Sequence, residues 1–212
     1  MLTIHAFPSS PRGFKVLSFA NHIAIPYEFK LVDLTKGEQT QPGYVAINPN
    51  KRMPSLTDGD FTLWESNAIL VYLATLKPDA GFLPADPKGH ADVLRWMFWE
   101  SCSFDPACAI LIFENFVKGF FGRGAPDPAE VEKGTAQFNK FAGVLDAHLN
   151  GRKWVCGDSL TIADFSLAAP LTMTEGGKLP VEPFGDIKRW YAQMAALPAW
   201  AKTAAMAARP TA

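Results

Sequence analysis

The sequence predicts an α/β amino-terminal domain followed by an all-helical carboxy-terminal domain. Three observations predict it: strand and helix patterns alternate in the opening part of the chain, a segment with three prolines interrupts them, and the remainder carries only helical periodicity. With 212 residues, of which 48% are hydrophobic and 19% charged, the chain is long enough to bury one large core or two modest ones.

The amino-terminal domain, residues 1–76, opens with a strand at 2–7 and a helix at about 12–21, with Pro11 at the first helical position. A second strand at 27–31 completes a right-handed crossover, which makes the two strands parallel. This opening is typical of a thioredoxin-like domain.

A hairpin and a helix complete that domain. Strands at 55–58 and 61–64 flank a turn at Gly59, and an apolar helical pattern follows at about 66–74. The element order is therefore strand, helix, strand, loop, hairpin, helix.

The linker, residues 77–87, holds the three prolines. Beyond it we predict a helical domain, 88–212, with long periodic segments at about 88–120 and 127–149. Its clearest local signal is the run 160–165, where Thr161 and Asp164 have the spacing of a capping box, with Asp in place of the usual Glu.

Charge and cysteine content exclude several classes of function. Lys and Arg number 20 against 21 Asp and Glu, so no strong field favours a nucleic acid or a membrane surface. The three cysteines form no CxxC pair, and the four histidines are far apart, so we predict neither a disulfide scaffold nor a metal site. The amino terminus does not resemble a signal peptide, and a cytoplasmic location is expected.

Three segments carry a resemblance to a known family. They are 47–56 (INPNKRMPSL), 58–60 (DGD) and 63–73 (LWESNAILVYL), and in this order they resemble the glutathione-site signature of the cytosolic glutathione S-transferases. The capping box at 161–164 resembles the folding motif of that family's helical domain. The resemblance covers nearly the whole chain and implies a thioredoxin-like domain joined to an all-α domain.

The resemblance implies that glutathione binds through two elements of the first domain. A cis peptide bond before Pro54 turns the backbone of Met53 towards the cysteinyl main chain of glutathione, whereas an isolated X-Pro bond is cis only about 5–6% of the time. Ser66 and the start of its helix suit the γ-glutamyl carboxylate, and Glu65 suits the ammonium. From these residues alone, Ser66 is a helix N-cap and Glu65 a solvated anion.

Gln39 and Arg52 correspond to family positions that meet the glycine carboxylate of glutathione, where an amide or guanidinium donor is required. Lys51 is the alternative to Arg52. By the residues alone, each of the three lies on a solvated loop.

Ser10 resembles the catalytic serine of the plant-type phi and tau classes and of related bacterial enzymes, which predicts a bacterial enzyme of the serine type. A hydroxyl at the start of a helix donates to the glutathione sulfur, and the helix dipole favours the thiolate over the thiol. Ser9 is the alternative, and by the residues alone either serine caps the helix.

The resemblance implies a homodimeric glutathione transferase that conjugates glutathione to a small hydrophobic electrophile. The electrophile site is expected between the domains, and its candidates, most of them expected in the core, are Trp99, Phe104, Phe113, Phe116 and Phe120. A glutathione-dependent isomerase or peroxidase is the alternative enzyme. A non-catalytic ligand-binding or scaffold protein of the same fold is the alternative from another class.

Overall fold

The computed structural model describes residues 1–208, which form two compact units. The first unit is Met1–Leu83 together with the carboxy-terminal segment that begins at Ala195. The second unit is Pro84–Met194. The boundary after Leu83 falls within the proline-rich segment 77–87.

The first unit is built on a four-stranded mixed sheet. Its strands are β1 (Leu2–Ala6), β2 (Glu28–Leu31), β3 (Ser55–Asp58) and β4 (Phe61–Trp64), in the order β2-β1-β3-β4. β1 is parallel to β2 and antiparallel to β3, and β3 forms an antiparallel hairpin with β4. All five residues of β1 are buried, as befits a central strand. The predicted crossover and hairpin are confirmed.

Three helices alternate with these strands along the chain. They are α1 (Pro11–His22), α2 (Pro42–Val45) and α3 (Ser66–Thr75). Every residue from 13 to 20 in α1 is buried, including one lysine. A helix with so little exposed surface is covered on several sides. The sheet, α3 and a later helix supply that cover.

The second unit is helical, and no β-strand occurs between Pro84 and Met194. The helices that begin in it are α4 (Pro87–Trp99), α5 (Asp105–Ile112), α6 (Lys118–Phe120), α7 (Pro128–Leu149), α8 (Ile162–Ala168), α9 (Thr174–Gly177) and α10 (Gly185–Ala195). This confirms the predicted all-α domain. The helical stretches 87–120 and 128–149 lie close to the predicted segments 88–120 and 127–149, and Asp127 caps α7 by accepting from the Ala129 amide.

Two π-helical segments join α4, α5 and α6 into one helical stretch, Glu100–Phe104 and Phe113–Val117. The first segment ends two residues before Pro106, the second residue of α5. Proline has no amide to donate to the carbonyl four residues back, that of Cys102, so the α-helical hydrogen-bond pattern is interrupted there. The chain continues as a helix with a wider turn and does not break.

The Asp164 carboxylate lies fully buried at the start of α8 and joins three segments of the second unit. One oxygen accepts from the Val155 amide and from Trp190 Nε1, each at 2.9 Å. The other accepts from the Thr161 amide at 2.9 Å and from its hydroxyl at 3.2 Å. Burial raises the pKa of Asp164, and the donors oppose that rise. The predicted capping box is confirmed.

The last described helix, α11 (Pro198–Ala207), belongs to the first unit and packs against α1. The Phe14 and Trp200 rings meet edge to face at 4.8 Å, and Asn21 Nδ2 donates to Thr203 Oγ1 at 3.0 Å. This arrangement differs from the predicted domain 88–212, because α11 buries its apolar side on α1. Residues 209–212 of that predicted domain lie outside the described residues.

None of the helices in the described part of the chain combines the length and the apolar character that a membrane crossing requires.

Replacing Asp164 with Ala leaves the amides of Val155 and Thr161 and the Trp190 indole buried without an acceptor. Each unpaired group costs about 1–3 kcal/mol, so Asp164→Ala lowers the free energy of unfolding by at least about 3 kcal/mol. Urea denaturation measures it. Asp158→Ala, at an exposed residue of the same region, is the control and stays within about 0.5 kcal/mol of the native protein. A loss for Asp164→Ala as small as the control's contradicts this account.

Candidate functional site

Four of the predicted site residues of the first unit, Met53, Pro54, Glu65 and Ser66, flank one edge of the sheet. Ser55, the first residue of β3, is paired with His5 of β1 on one side and with Trp64 of β4 on the other. The end of β1, the start of β3 and the end of β4 therefore share that edge. Met53 and Pro54 lie immediately before this row, and residues 65 and 66 lie immediately after it.

Phe7, the residue after β1, joins two of the candidates through its backbone. Its carbonyl accepts from the Ser10 amide at 3.0 Å, and its amide donates to Met53 Sδ at 3.4 Å. The Met53–Pro54 peptide bond is cis, as the resemblance implied. Neither the amide nor the carbonyl of Met53 forms a hydrogen bond within residues 1–208.

Gly13 allows the first turn of α1 to lie against the end of β1. A Cβ at this position would stand 2.5 Å from the Phe7 carbonyl oxygen, a contact that no larger residue makes without moving the helix. The start of α1, and Ser10 with it, is therefore held at the sheet edge by close backbone packing.

The two candidate serines use their hydroxyls differently. Ser10 occupies the N-cap position of α1 with extended backbone angles, φ −84° and ψ 132°, yet its side chain makes no capping bond. Its hydroxyl is half-buried and has no hydrogen-bond partner within the described chain. The Ser9 hydroxyl donates to the Ala207 carbonyl of α11 at 3.1 Å. Ser10 thus keeps a donor at the start of a twelve-residue helix.

The N-cap of α3 is Glu65, one residue before Ser66, which the residues alone predicted as the N-cap. Ser66 is the first residue of α3, and Glu65 occupies the N-cap position with φ 72° and ψ 114°. This positive φ is rare and costly for a residue with a side chain. The Glu65 carboxylate is exposed and does not cap the helix. Ser66 is 8% exposed, and its hydroxyl is unbonded within residues 1–208.

Two residues that the sequence analysis did not assign hold the loop before Pro54. Tyr44 Oη and Asn48 Nδ2 each donate to the Arg52 carbonyl at 2.7 Å, and the Tyr44 hydroxyl also pairs with Ser55 Oγ at 2.8 Å. Both side chains are buried, and burial raises the pKa of Tyr44. Asn48 belongs to the segment 47–56, so the sequence offered a signal for it; Tyr44 offered none beyond its aromatic ring.

Gln39 and Arg52 are not brought together by hydrogen bonds within the described residues. The Arg52 side chain is exposed, as is that of Lys51, which has φ 56°. Gln39 lies in a 3₁₀ turn, Glu38–Thr40, and its Oε1 atom is buried without a partner among residues 1–208. A buried amide oxygen without a donor is uncommon in folded proteins.

The aromatic candidates, all in the second unit, divide into core and surface. Phe104 is fully buried and stacks on Trp99 at 5.8 Å. Phe113 and Phe116 are each 38% exposed, and Phe120 is 54% exposed and stacks on Phe116 at 5.6 Å. All three are exposed within one helical stretch, residues 113–120. Phe104 is core, and the exposed stretch retains three candidates.

The protein's own thiols lie in the second unit. Cys102, Cys108 and Cys156 form no disulfide. Burial raises the pKa of Cys156 to about 12, which keeps that thiol protonated at neutral pH. Among residues 1–208, no group of three or more His, Cys, Asp or Glu side chains is placed to hold a metal ion.

Comparison with known proteins identifies the family. The model of the glutathione S-transferase N-terminal domain matches residues 1–75, and that of the glutathione S-transferase C-terminal domain matches residues 104–198. The chain belongs to the glutathione S-transferase family. The prediction of a transferase with the fold of this family is confirmed.

Among the relatives of this glutathione S-transferase is glutathione S-transferase 3 of Zea mays, 36% identical over 211 residues, which cover 96% of this chain and 93% of that protein. Glutathione transferase F7 from Populus trichocarpa has a similar structure, with a TM-score of 0.88 and 27% identity. The match covers 99% of this chain and 100% of that chain. A family member from Pseudomonas fluorescens, whose structure has two glutathione bound, is also similar. Its TM-score is 0.87 and its identity 26%, and the match covers 95% of this chain and 91% of that chain.

Asn48 is expected to stabilise the loop that carries Met53. Asn48→Ala removes a donor from the Arg52 carbonyl and the acceptor of the Asn50 amide, so we expect a loss of about 1–3 kcal/mol in the free energy of unfolding. Asn50→Ala is the matched control: its exposed amide bonds only to Asn48, and it changes stability by about 0.5 kcal/mol or less. Equal losses for both variants in urea denaturation contradict the assigned role.

Proposed function

We propose that this glutathione transferase is of the serine type, with Ser10 donating a hydrogen bond to the sulfur of glutathione and holding it as the thiolate. The observation that carries the proposal is the Ser10 hydroxyl, which the protein leaves unbonded at the start of α1. A residue kept only to cap the helix uses its side chain on the amides of the first turn.

Two effects at this position favour the thiolate. The hydroxyl stabilises negative charge on sulfur by a charge-assisted hydrogen bond, and the dipole of α1 adds positive potential at its amino terminus. Both lower the thiol pKa, so that the proton leaves to solvent near neutral pH. Ser10 stabilises the nucleophile and forms no covalent bond itself. The thiolate then forms a bond to the electrophilic atom of the second substrate, and either a leaving group departs with its electron pair or an activated double bond opens and takes a proton from solvent.

Ser9 is the weaker candidate for this role. Its hydroxyl already donates to the Ala207 carbonyl, and its side chain is exposed. A hydroxyl has a single proton to donate, so Ser9 gives up one bond to make another. Ser10 has no such cost.

Other groups at the same edge of the sheet suit the remaining parts of glutathione. The unbonded amide and carbonyl of Met53, held beside the buried Pro54, suit main-chain pairing with the cysteinyl residue. The Ser66 hydroxyl and the first turn of α3 suit the γ-glutamyl carboxylate, and the exposed Glu65 carboxylate suits the ammonium. The positive φ of Glu65 supports this role, since backbone strain of this kind occurs most often at functional sites.

The remaining assignments follow the same chemistry. Gln39 and Arg52 bind the glycine carboxylate, for which the exposed guanidinium of Arg52 is the stronger donor. The exposed rings of Phe113, Phe116 and Phe120 offer apolar surface for a small hydrophobic electrophile. A homodimer, a cytoplasmic location and a bacterial source stay predictions of the family resemblance.

The thiol pKa of bound glutathione tests the role of Ser10. In the native protein we expect the thiolate absorbance of bound glutathione to titrate with a pKa well below about 8.5, the ordinary pKa of a thiol. Ser10→Ala returns the titration towards that value and lowers kcat/KM by about 100-fold or more, as removal of a donor to a charged transition state does elsewhere. Ultraviolet difference spectra of the complex against pH give the pKa.

Ser9→Ala is the matched control for this titration, and it leaves the thiol pKa close to that of the native protein. If Ser9→Ala abolishes the shift in the thiol pKa and Ser10→Ala does not, Ser9 and not Ser10 stabilises the thiolate. If native protein does not bind glutathione, or binds it with an unshifted thiol, the proposal fails and a non-catalytic protein of this fold replaces it.

A further inference from the structure

A cavity of the helical unit is formed by residues that the proposed function does not use. It has a volume of about 310 Å³, and its walls come from α9, from α10 and from the chain on either side of α9. Cavities that hold small ligands begin at about this size. All its lining residues fall between 171 and 191, so none belongs to the sheet edge or to the aromatic stretch 113–120.

The base of the cavity is apolar. Leu171 and Ile187 are 2% and 1% exposed, and Val181 lies half-buried in the same wall. Ile187 and Tyr191 are four residues apart in α10, so they lie on one side of that helix. The Ile187 amide donates to Asp146 Oδ1 at 2.9 Å, which holds the start of α10 in place. The base therefore suits a ring or a short hydrocarbon chain.

Three polar side chains of the wall offer acceptors to a ligand. The Thr172 hydroxyl donates to the Ala169 carbonyl at 2.6 Å, and the Thr174 hydroxyl donates to the Leu171 carbonyl at 2.7 Å. Because a hydroxyl has one proton, both oxygens are left as acceptors. The Glu175 carboxylate, on the exposed side of the cavity, also only accepts when it is ionised. A ligand group with several protons to donate matches this set.

The charge of the wall has the same preference. The Glu175 carboxylate forms no hydrogen bond or ion pair within residues 1–208, and Lys178, three residues later, is not paired with it. Lys188, the lysine of the wall, is already paired with Glu182 at 2.9 Å. The uncompensated charge at the cavity is therefore negative, and it favours a cation over an anion.

Glu175 belongs to an element whose backbone is closely packed. A Cβ at Gly177, in the same short helix α9, would stand 2.8 Å from Ile112 Cγ1, and Asn115 Nδ2 donates to the Gly177 carbonyl at 3.0 Å. α9 thus packs against the helical stretch that contains Ile112 and Asn115. The backbone that carries the carboxylate is positioned before any ligand arrives, which favours binding.

We propose that this cavity binds a small organic cation, namely a primary ammonium attached to one ring or to a short apolar chain. The ammonium donates to the Glu175 carboxylate and to the hydroxyl oxygens of Thr172 and Thr174. The apolar part is buried against Leu171 and Ile187. This site is separate from the residues proposed for glutathione and for the electrophile, so it does not depend on the proposed function.

Three probes of similar size separate the effect of charge from that of apolar burial. They are 2-phenylethylammonium, 2-phenylethanol and 3-phenylpropionate, which are positive, neutral and negative at neutral pH. Titrations followed by methyl NMR give both the dissociation constants and the location. We expect the ammonium to bind about 5-fold more tightly than the alcohol, and the carboxylate to bind most weakly. The methyl resonances of Leu171, Val181 and Ile187 are expected to shift.

Glu175→Gln removes the charge and nearly keeps the size of the side chain. We expect it to weaken binding of 2-phenylethylammonium by about 5-fold and binding of the alcohol by about 1.5-fold or less. Glu132→Gln makes the same change at an exposed glutamate of α7, outside the cavity, and leaves all three dissociation constants unchanged. Val181→Phe fills part of the cavity and weakens binding of every probe.

Each contrary result overturns the proposal in a defined way. If the carboxylate probe binds as tightly as the ammonium, or if Glu175→Gln has no effect, the cavity does not select a cation. Equal weakening by Glu132→Gln assigns the effect to the overall charge of the protein and removes the role of Glu175. If no probe binds, or if only methyl groups outside residues 171–191 shift, the cavity is not a ligand site.

Discussion

The close approach of α1 to the end of β1 at Gly13 is the constraint on which the candidate site depends. A side chain there would collide with the Phe7 carbonyl, the same carbonyl that accepts from the Ser10 amide. Phe7 also bonds to Met53 through its amide. Backbone packing at one glycine thus sets the position of a candidate catalytic hydroxyl, beside a candidate ligand-binding main chain that the side chains of Tyr44 and Asn48 support.

In the helical unit, Asp164 fixes the positions of several segments through hydrogen bonds to its carboxylate. Its carboxylate is fully buried and gathers donors from the turn before α8, from the start of α8 and from α10. A buried carboxylate is tolerated because each oxygen accepts more than one hydrogen bond.

Much of the fold could be predicted because its signals are local. The hairpin strands 55–58 and 61–64 have the predicted bounds, since a glycine turn between alternating residues specifies its own pairing. The cis bond before Pro54 followed from the family signature. The site was predicted less completely: Ser66 lies inside α3, and the contribution of Tyr44 was missed. Its role depends on a partner in another segment, Arg52, that no local pattern identifies.

By itself the sequence determined the four strands, the helices α1, α3 and α7 and the proline-rich division, because periodicity, turn residues and capping boxes act over a few positions. The candidate site residues followed from the family resemblance. Only the tertiary structure decided where α11 packs, and which serine hydroxyl is left unbonded. Ser9 is bonded to Ala207, 198 residues away along the chain. Such a contact depends on how apolar faces far apart in sequence are buried together, which the neighbouring residues do not encode.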